Sequence, residues 1–368
     1  MRIRAAISAS AEAPFEIAEV ELDEPRRDEV LVELRAAGVC HSDLTMKAIW
    51  PEAISPIVLG HEGAGVVAAV GDEVTGVRTG DHVVLSYRSC GSCPECAGGH
   101  RPYCRDFRTL NGIGTRPDGS PTMSRNGSRL YGSFFGQSSF ASHALAYESN
   151  VVVVGDEIDL AVAAPLGCGV QTGAGTVLNV LAPPPESSLV VFGAGGVGLS
   201  AVMAAFASGV GTIVAVDPVA SRRQLAAELG ATATIDPGAG DVVDAIRGLT
   251  GIGVTHAIDT TAKGAVINQA IEALAPLGTL ALVGLRPPDF AMNVQSVMSG
   301  GKTIRGVIEG DAAPREFIPR LVELHGQGRL PVEKLIRRYD FEDIDVAFAD
   351  AASGKTVKPV IRFDLNSV

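Results

Sequence analysis

Short apolar segments separated by glycine turns fill the first third of the chain. Their apolar residues predict strands over 17–22, 29–34, 66–70 and 82–85. Glycine followed by aspartate, as in Gly71-Asp72, is a frequent turn signal between strands. Several short strands with such turns between them predict a twisted antiparallel sheet or a partial barrel.

The pattern changes near residue 170, where apolar strands begin to alternate with alanine-rich helices. This alternation predicts a parallel sheet with helices on both faces. Two further helices are predicted over 314–325 and 344–352, with Gly326 and Gly354 marking their ends. The predicted strands of the parallel sheet are 189–192, 212–217, 231–235, 256–259 and 279–284, and its predicted helices are 198–208, 221–229 and 265–274.

The length of 368 residues indicates two domains, because single hydrophobic cores stop growing at roughly 250–300 residues. We expect a β-rich domain built from residues 1–169 and 310–368, and a doubly wound α/β domain built from residues 170–309. The segment 109–132 is rich in Gly, Ser, Arg and Pro. A connection of that length is typically either functional or mobile.

The charge and composition exclude several classes of protein. A hydrophobic fraction of 46% and a charged fraction of 20% are typical of a globular chain, and the net charge of −12 disfavours nucleic acid and anionic membrane as partners. No apolar run reaches the roughly 20 residues of a membrane span. The start of the chain makes a poor secretory signal, so we expect a cytoplasmic protein.

A glycine motif at 193–198, Gly-Ala-Gly-Gly-Val-Gly, follows directly on a predicted strand and opens a predicted helix. Gly193, Gly195 and Gly198 occupy the three glycine positions of a dinucleotide-binding turn. Asp217 ends the next strand about 20 residues later, where an acid can hydrogen-bond the ribose 2′-hydroxyl. The alternative is a glycine-rich turn without a ligand. The motif in this context favours a dinucleotide with its pyrophosphate at the helix N-terminus.

Four cysteines crowd into fifteen residues with the spacing C-x2-C-x2-C-x7-C. Thiolates at such spacing suit a closed, tetrahedral Zn²⁺ site. A bacterial iron–sulfur run would place its last cysteine after three residues and follow it with proline, whereas Arg105 follows here. The alternative is a group of loop thiols without metal. The cluster comprises Cys90, Cys93, Cys96 and Cys104.

The two remaining cysteines, Cys40 and Cys168, lie in turn-like sequences, and His61 lies between them in the chain. Two thiolates and one imidazole would form a zinc site whose fourth position stays open, as catalysis requires. Taken separately, the three residues are more typical of buried structural cysteines and a core histidine. Their occurrence with the two other motifs favours the catalytic site.

Together these motifs resemble the zinc-containing medium-chain alcohol dehydrogenases over nearly the whole chain. The matching segments are Gly-Val-Cys-His-Ser-Asp at 38–43, Gly-His-Glu-Gly-Ala-Gly at 60–65, the four-cysteine cluster and Gly-Cys-Gly at 167–169. All six cysteines find a place in the family pattern. The segments at 134–140, 165–173 and 304–311 resemble the benzyl or aryl-alcohol dehydrogenase branch.

The resemblance implies an α/β fold in which a Rossmann doubly wound sheet accompanies a β-rich, GroES-like catalytic domain. It implies one catalytic and one structural zinc per chain. Behind the catalytic zinc, Glu62 would lie as a carboxylate and Asp43 would orient His61. Ser42 would take the proton of the alcohol. The implied metal ligands are Cys40, His61 and Cys168 at the catalytic zinc, and Cys90, Cys93, Cys96 and Cys104 at the structural zinc.

The same resemblance implies NAD as cofactor, with His41 and Lys358 near its pyrophosphate, Arg222 at its adenosine ribose, and the Val283 carbonyl at its carboxamide. The alternative is that His41, Arg222 and Lys358 are ordinary solvated charges. Trp50, between two zinc ligands in the sequence, is either a substrate-pocket residue or a core residue. The full implied cofactor set is His41, Thr172, Gly193, Gly195, Gly196, Val197, Gly198, Asp217, Arg222, Val283 and Lys358.

The chain departs from the pattern at Thr45. Many relatives carry a histidine there, three residues after the serine, which completes a proton path to solvent. Thr45 can pass a proton but cannot store one, so the relay beyond Ser42 needs another explanation.

The sequence thus predicts hydride transfer between a primary alcohol and NAD, in a cleft between the two domains. The implied assembly is a homodimer or homotetramer, with the strand near 304–308 pairing across a two-fold axis. A thiol-dependent formaldehyde dehydrogenase shares much of the pattern, but its substrate would need basic pocket residues such as Arg108, Arg116 or Arg125. A non-catalytic, zinc-stapled dinucleotide-binding protein would not need Cys40, His61 and Cys168 together.

Overall fold

The computed structural model describes residues 1–285 and 288–363, which fold into two compact units. Unit 1 contains Met1–Cys168, Ala313–Glu323 and the chain from Glu333 onward, and unit 2 contains Gly169–Ala312 and Leu324–Val332. The expected bounds differ at residues 169, 310–312 and 324–332, all of which were expected in the first domain. They belong to unit 2, where the Arg329 guanidinium donates a hydrogen bond to the carbonyl of Ala207.

Most of the described strands lie in unit 1, and the remaining ones alternate with helices in unit 2. In chain order they are β1 (Arg2–Ser8), β2 (Glu16–Leu22), β3 (Glu29–Gly38), β4 (Ile57–Val58), β5 (Gly63–Val70), β6 (His82–Leu85), β7 (Met123–Arg125), β8 (Ser128–Leu130), β9 (His143–Tyr147), β10 (Val151–Val154), β11 (Ser188–Phe192), β12 (Thr212–Val216), β13 (Ala233–Ile235), β14 (Val254–Asp259), β15 (Leu274–Leu282), β16 (Thr303–Gly306), β17 (Ile336–Asp340) and β18 (Lys358–Arg362).

The helices described by the structure are divided between the two units, and those of unit 2 alternate with its strands. In chain order they are α1 (His41–Ile49), α2 (Pro94–Ala97), α3 (Phe107–Asn111), α4 (Leu160–Ala163), α5 (Gly169–Gly175), α6 (Gly196–Ala207), α7 (Ala220–Glu228), α8 (Val242–Thr250), α9 (Gly264–Ala273), α10 (Val294–Gly300), α11 (Pro314–Gly326) and α12 (Ile344–Ala352). Short 3₁₀ helices cover Glu52–Ile54, Arg101–Tyr103, Phe134–Gly136, Glu148–Asn150, Ala164–Gly167, Glu309–Asp311, Val332–Leu335 and Phe341–Asp343, and a π-helical segment, Thr176–Leu181, continues α5.

Unit 1 is built on two mainly antiparallel sheets. The described strands of the first run in the order β4-β1-β2-β7-β8, and those of the second in the order β10-β6-β5-β3-β18-β17, with β9 also paired to β3. Apolar residues of both sheets form a shared core, in which Phe140 packs on Phe348 with ring centroids 5.6 Å apart. The expectation of antiparallel strands is confirmed, and β6 has the predicted bounds.

The segment 109–132 is folded into the first sheet. Its hairpin β7–β8 pairs with β2, where Met123 lies opposite Leu22. Arg116 anchors the segment: its side chain is 1% exposed, and its guanidinium lies 2.6 Å from both Glu29 Oε1 and Asp23 Oδ2. The segment, which was expected to be either functional or mobile, thus has a defined fold. Its loop-like composition reflects turns that are held by a buried ion pair.

Unit 2 contains a parallel sheet whose described strands run in the order β13-β12-β11-β14-β15-β16. The chain starts at the centre with β11, moves outward to one edge, and returns across the centre to the other edge. This order is that of a doubly wound, Rossmann-type sheet. Its core is nearly continuous aliphatic packing, as expected of strands that are covered on both faces. The predicted parallel sheet is confirmed, although the sequence pattern missed α5, α8 and α10.

Among the described residues, no single helix is long and apolar enough to cross a membrane. One pair, Leu160–Gly167 with Gly169–Leu181, passes such a test together by length and composition, but it is bent by 59°.

Candidate metal centres and dinucleotide site

Three segments of unit 1 bring two thiols and an imidazole together. Cys40 follows β3 and begins α1, His61 lies between β4 and β5, and Cys168 follows the 3₁₀ helix Ala164–Gly167. Their sulfur and nitrogen atoms, with a carboxylate oxygen of Glu62, all lie within 4.8 Å of one another, and all four residues are buried. His61 Nε2 is buried without a hydrogen-bond partner among the described residues. A buried ring nitrogen beside two thiols fits a zinc ion.

Asp43 ties two of these segments together. Its Oδ1 lies 2.9 Å from His61 Nδ1 and accepts a hydrogen bond from the Gly60 amide, and its Oδ2 accepts one from the Cys40 amide at 2.9 Å. The carboxylate is fully buried. With Nδ1 donating to Asp43, the lone pair of Nε2 faces the two thiols, which is the tautomer that metal binding requires.

Glu62 and Lys358 form a buried ion pair beside the same thiols. Lys358 Nζ lies 2.9 Å from both Glu62 oxygens and 3.4 Å from the Val39 carbonyl. Burial raises the pKa of Glu62 to about 7, although the Lys358 ammonium opposes this change. Gly38 leaves room for the carboxylate, since a Cβ there would lie 2.0 Å from Glu62 Oε2.

Lys358 thus has a partner that the sequence did not predict, and its place near the pyrophosphate stays a prediction. The resemblance placed it near the cofactor pyrophosphate, but its side chain is only 5% exposed and its hydrogen bonds go to Glu62 and Val39. A buried ammonium is costly without a hydrogen-bonded counter-charge, and Glu62 supplies one.

The first turns of α1 carry the three other residues expected near the reaction. Ser42 Oγ lies 3.8 Å from Cys40 Sγ and is half-buried. Thr45 Oγ1 donates to the His41 carbonyl at 3.0 Å, a bond within the helix, and the His41 side chain is exposed. The structure thus brings Ser42 to the metal ligands and engages the hydroxyl of Thr45 with its own helix.

An aromatic wall covers one side of His61. The Phe134 ring meets His61 edge-on at 5.6 Å and Trp50 at 5.8 Å, while the Phe135 ring lies tilted over His61 at 4.7 Å. Trp50 is half-buried, packs against the unit 1 core, and donates from Nε1 to the Ile54 carbonyl at 2.6 Å. Phe134 and Phe135 were not among the predicted site residues. Their signal was the adjacent pair of phenylalanines in the segment 134–140 that resembles the aryl-alcohol branch.

The four-cysteine cluster forms a separate site in unit 1. The sulfurs of Cys90, Cys93, Cys96 and Cys104 lie within 4.8 Å of one another, and none forms a disulfide. Backbone hydrogen bonds from Ser92 and Cys93 lower the pKa of Cys90 to about 6, whereas burial raises the pKa of Cys104 to about 12. Four adjacent thiolates need a cation to ionise together, so the donor set fits a closed Zn²⁺ site.

In unit 2 the glycine motif turns tightly between β11 and α6. Gly193 has φ +92°, and a Cβ there would lie 2.4 Å from Thr260 Oγ1. A Cβ at Gly198 would lie 1.8 Å from the Gly193 carbonyl oxygen, so the helix could not approach the strand. Gly195 has open space around its Cβ position, and Gly196 and Val197 begin α6. The arrangement leaves the helix N-terminus accessible to a phosphate group.

Asp217 lies beside this turn, directly after β12. Its Oδ2 accepts from the Ala194 amide and its Oδ1 from the Val219 amide, both at 2.8 Å. Arg222 Nη1 lies 3.9 Å from the same carboxylate. The Asp217 carboxyl group is thereby fixed next to the glycine turn.

The last two predicted cofactor residues also lie in unit 2. Thr172 is buried in α5, and its Oγ1 lies 3.5 Å from Glu309 Oε2, which also accepts a hydrogen bond from Gln171 at 2.9 Å. Val283 follows β15, and its amide donates to the Asp259 carbonyl. Glu309 was not among the predicted residues, although it lies in a segment that resembles the aryl-alcohol branch.

Comparison with known proteins defines the class. Residues 26–156 match the alcohol dehydrogenase GroES-like domain, and residues 196–325 match the zinc-binding dehydrogenase family. The chain therefore belongs to the zinc-dependent medium-chain alcohol dehydrogenase family and is an oxidoreductase that acts on small molecules.

Individual relatives refine this assignment. The chain is 44% identical to geraniol dehydrogenase of Castellaniella defragrans, covering 98% of this chain and 97% of that protein. It is 33% identical to S-(hydroxymethyl)glutathione dehydrogenase of Synechocystis sp., covering 99% and 100%. The crystal structure of benzyl alcohol dehydrogenase from Acinetobacter calcoaceticus superposes with a TM-score of 0.95 at 41% identity, covering 99% of this chain and 100% of that one.

Proposed function

We propose that this enzyme interconverts a primary aryl or allylic alcohol and its aldehyde, with NAD as the hydride acceptor. The proposal rests mainly on one observation: Cys40, His61 and Cys168 come together in a buried site that is covered on one side by aromatic rings. A zinc ion held there would supply Lewis-acid polarisation of the alcohol oxygen, and a bound NAD would supply the hydride acceptor.

The chain's own residues supply orientation and proton movement. Asp43 holds the His61 tautomer, so that Nε2 keeps its lone pair for the metal. The Glu62–Lys358 pair adds no net charge behind the thiols. Ser42 Oγ takes the proton of the alcohol, because it is the hydroxyl nearest to Cys40 among the described contacts.

The aromatic wall supports the proposed substrate class. Phe134 and Phe135 are large, flat and apolar, and such rings favour contact with the π-system of an aryl or allylic alcohol. Geraniol and benzyl alcohol, after which two relatives are named, both carry a π-bond one carbon from the hydroxyl-bearing carbon.

Replacing Trp50 with alanine is expected to change the order of preference among alcohols. The loss of its ring, which packs on Phe134, should weaken kcat/KM for benzyl and allylic alcohols by roughly 10-fold or more, given about 1–3 kcal/mol for a lost apolar contact. Short aliphatic alcohols should lose less. Steady-state rates with both classes test this, and equal losses for all alcohols would assign Trp50 to the core alone.

Asp217 supports NAD over NADP, because a fixed carboxylate repels the 2′-phosphate that only NADP carries. Replacing Asp217 with glycine should weaken the preference for NAD. The ratio of kcat/KM with NAD to kcat/KM with NADP should fall by roughly 10-fold or more, because removing one like-charge contact is worth at least about 1 kcal/mol. Asp236, which pairs with Arg223, offers a control position. A wild type that uses NADP better than NAD would refute this role of Asp217.

We further propose two zinc ions per chain, a cytoplasmic location and a homo-oligomer. Reduced thiols in all six cysteines suit a reducing compartment. The strand β16 lies at one end of the described strand order of the parallel sheet, where its outer edge offers hydrogen-bonding groups to a second chain.

Formaldehyde oxidation as a glutathione or mycothiol adduct is the second candidate, since one relative carries the corresponding name. The glutathione adduct carries carboxylates that need basic partners. Arg116 is buried and pairs with Glu29 and Asp23, and Arg125 pairs with Glu16 at 2.5 Å. Two of the three arginines considered for that role are therefore engaged in ion pairs, which favours the aryl or allylic alcohol.

The direct test combines metal analysis with a substrate panel. We expect about two zinc ions per chain, and NAD reduction with benzyl, allylic and terpenoid alcohols exceeding that with short aliphatic alcohols or with formaldehyde plus a thiol. A content of about one zinc ion, with no turnover of any alcohol, would instead support a non-catalytic dinucleotide-binding protein.

A further inference from the structure

Gln137 lies in the first layer of structure behind the catalytic metal ligands, without belonging to them. Its side chain is fully buried, and both ends of the amide are engaged. Nε2 donates to the His61 carbonyl at 2.9 Å and to the Ser86 carbonyl at 3.1 Å, while Oε1 accepts from the Gly63 amide at 3.1 Å. One side chain thus forms hydrogen bonds with the backbone of His61 and of Gly63, the two neighbours of Glu62 in the sequence.

Ser86 connects Gln137 with the segment that carries the third ligand, Cys168. Its hydroxyl donates to the Gly167 carbonyl at 2.6 Å, and Gly167 is the residue before Cys168. The Ser86 carbonyl also accepts from Asn150 Nδ2 at 3.1 Å, so its position is fixed from a second side. A continuous chain of hydrogen bonds therefore runs from the backbone of His61 through Gln137 and Ser86 to the residue that precedes Cys168.

The backbone around these hydrogen bonds is closely packed and has little freedom to move. A Cβ on Gly63 would lie 3.1 Å from Gln137 Oε1, and a Cβ on Gly167 would lie 2.1 Å from the Leu85 carbonyl oxygen. Close packing of this kind transmits a displacement of one segment to the other. Asp43 already fixes Cys40 relative to His61, but none of its described hydrogen bonds reaches the Cys168 segment.

We propose that Gln137 and Ser86 are positioning residues that set the distance between the His61 and Cys168 ligands, and thereby the affinity and geometry of the catalytic metal site. The proposal rests on the proposed function only in naming that site catalytic. Outer residues that orient metal ligands typically affect metal affinity or activity by about 10- to 100-fold.

The experiment uses the metal-loaded enzyme and three variants. Ser86→Ala removes the hydroxyl that reaches Gly167, and Gln137→Met keeps the length of the side chain but removes all three amide hydrogen bonds. Thr122→Val is the matched control, because the buried Thr122 hydroxyl also donates to a glycine carbonyl, that of Gly132 at 2.7 Å, in the β7–β8 region. Each protein is examined for melting temperature, for zinc release to a chelator, and for the visible spectrum after cobalt replaces zinc.

Ser86→Ala and Gln137→Met should release one of the zinc ions roughly 10- to 100-fold faster than wild type, and should shift the cobalt d–d bands. Thr122→Val should lower the melting temperature to a similar degree as Ser86→Ala while leaving both metal readouts unchanged. Because the two residues act through one chain of hydrogen bonds, the double variant should lose less than the sum of the single variants.

A melting temperature that falls while zinc release and cobalt spectra match those of Thr122→Val would overturn the proposal. Ser86→Ala alone suffices for this decision if Gln137→Met does not fold. The metal readouts need no substrate, so their outcome is independent of which alcohol the enzyme oxidises. A wild type without alcohol turnover but with the expected metal effects would refute the proposed function and leave this inference standing.

Discussion

Replacing Cys96 with serine is expected to remove one zinc ion per chain and to destabilise unit 1 strongly. Cys96 is buried in α2, and its sulfur lies 3.9 Å from that of Cys90. Structural zinc contributes about 10–16 kcal/mol of apparent binding free energy in small peptides, which is comparable to the whole net stability of a domain, about 5–15 kcal/mol. Even a loss of about 4 kcal/mol would lower the melting temperature by roughly 8–16 °C. Metal analysis and thermal unfolding measure the two effects.

Two further variants control this experiment. Ser92→Ala lies in the same cluster loop. Ser92 is exposed and supplies no ligand, and its hydroxyl donates only a long hydrogen bond of 3.8 Å to Cys90 Sγ, so zinc content should stay near that of wild type and the melting temperature should fall far less than in Cys96→Ser. Cys168→Ser should remove the other zinc ion and abolish turnover with a smaller loss of stability. A Cys96→Ser protein with unchanged melting temperature and full zinc content would contradict the structural site.

The sequence was most informative where chemistry depends on neighbours along the chain. The four cysteines fall within fifteen residues, so their spacing alone indicates a metal cluster, and the structure brings their sulfurs together. The glycine turn is similar, because Gly193 and Gly198, which approach each other closely, are only five positions apart in the sequence.

The sequence was least informative where distant segments meet. Lys358 reaches Glu62 because β18 pairs with β3, where Val360 lies opposite Gly38. No local pattern encodes that pairing, so the ion pair of Lys358 with Glu62 was not predicted. Arg116 is a second case, since its partners Glu29 and Asp23 lie about ninety residues away in the sequence. These contacts anchor a segment that reads as a loop in the sequence but forms part of a sheet.

Gln137 shows a third limit. Its residue type is unremarkable in the sequence, and its significance arises only from the backbone groups of His61, Gly63 and Ser86 that it meets. A motif identifies the atoms that touch a metal or a cofactor. The residues that hold those atoms in place belong to other segments, and only the folded chain identifies them.

Replacing Thr45 with histidine is expected to accelerate alcohol oxidation near neutral pH. The proton that Ser42 takes must reach solvent, and a hydroxyl cannot hold that charge for long. Thr45 lies three residues further along α1, on the same face as Ser42, and its hydroxyl already donates to the His41 carbonyl. An imidazole at this position can store the proton, because its pKa lies near 6.5. General-base assistance of this kind contributes about 10²–10⁴-fold when proton transfer limits the rate.

The pH dependence provides the sharper measurement. In the wild type, oxidation should rise towards alkaline pH, where hydroxide drains the proton path. In Thr45→His, the gain should be present above the imidazole pKa, be lost below about pH 6 as the ring becomes protonated, and shrink again towards about pH 9. Single turnovers are required, because cofactor release often limits the steady state and would conceal the change. Thr45→Val is the control, since it keeps the branched shape without the hydroxyl and should be no faster than wild type at any pH. If Thr45→His leaves the single-turnover rate and its solvent isotope effect unchanged between about pH 6 and 9, the proton leaves by another route and Thr45 is not part of it.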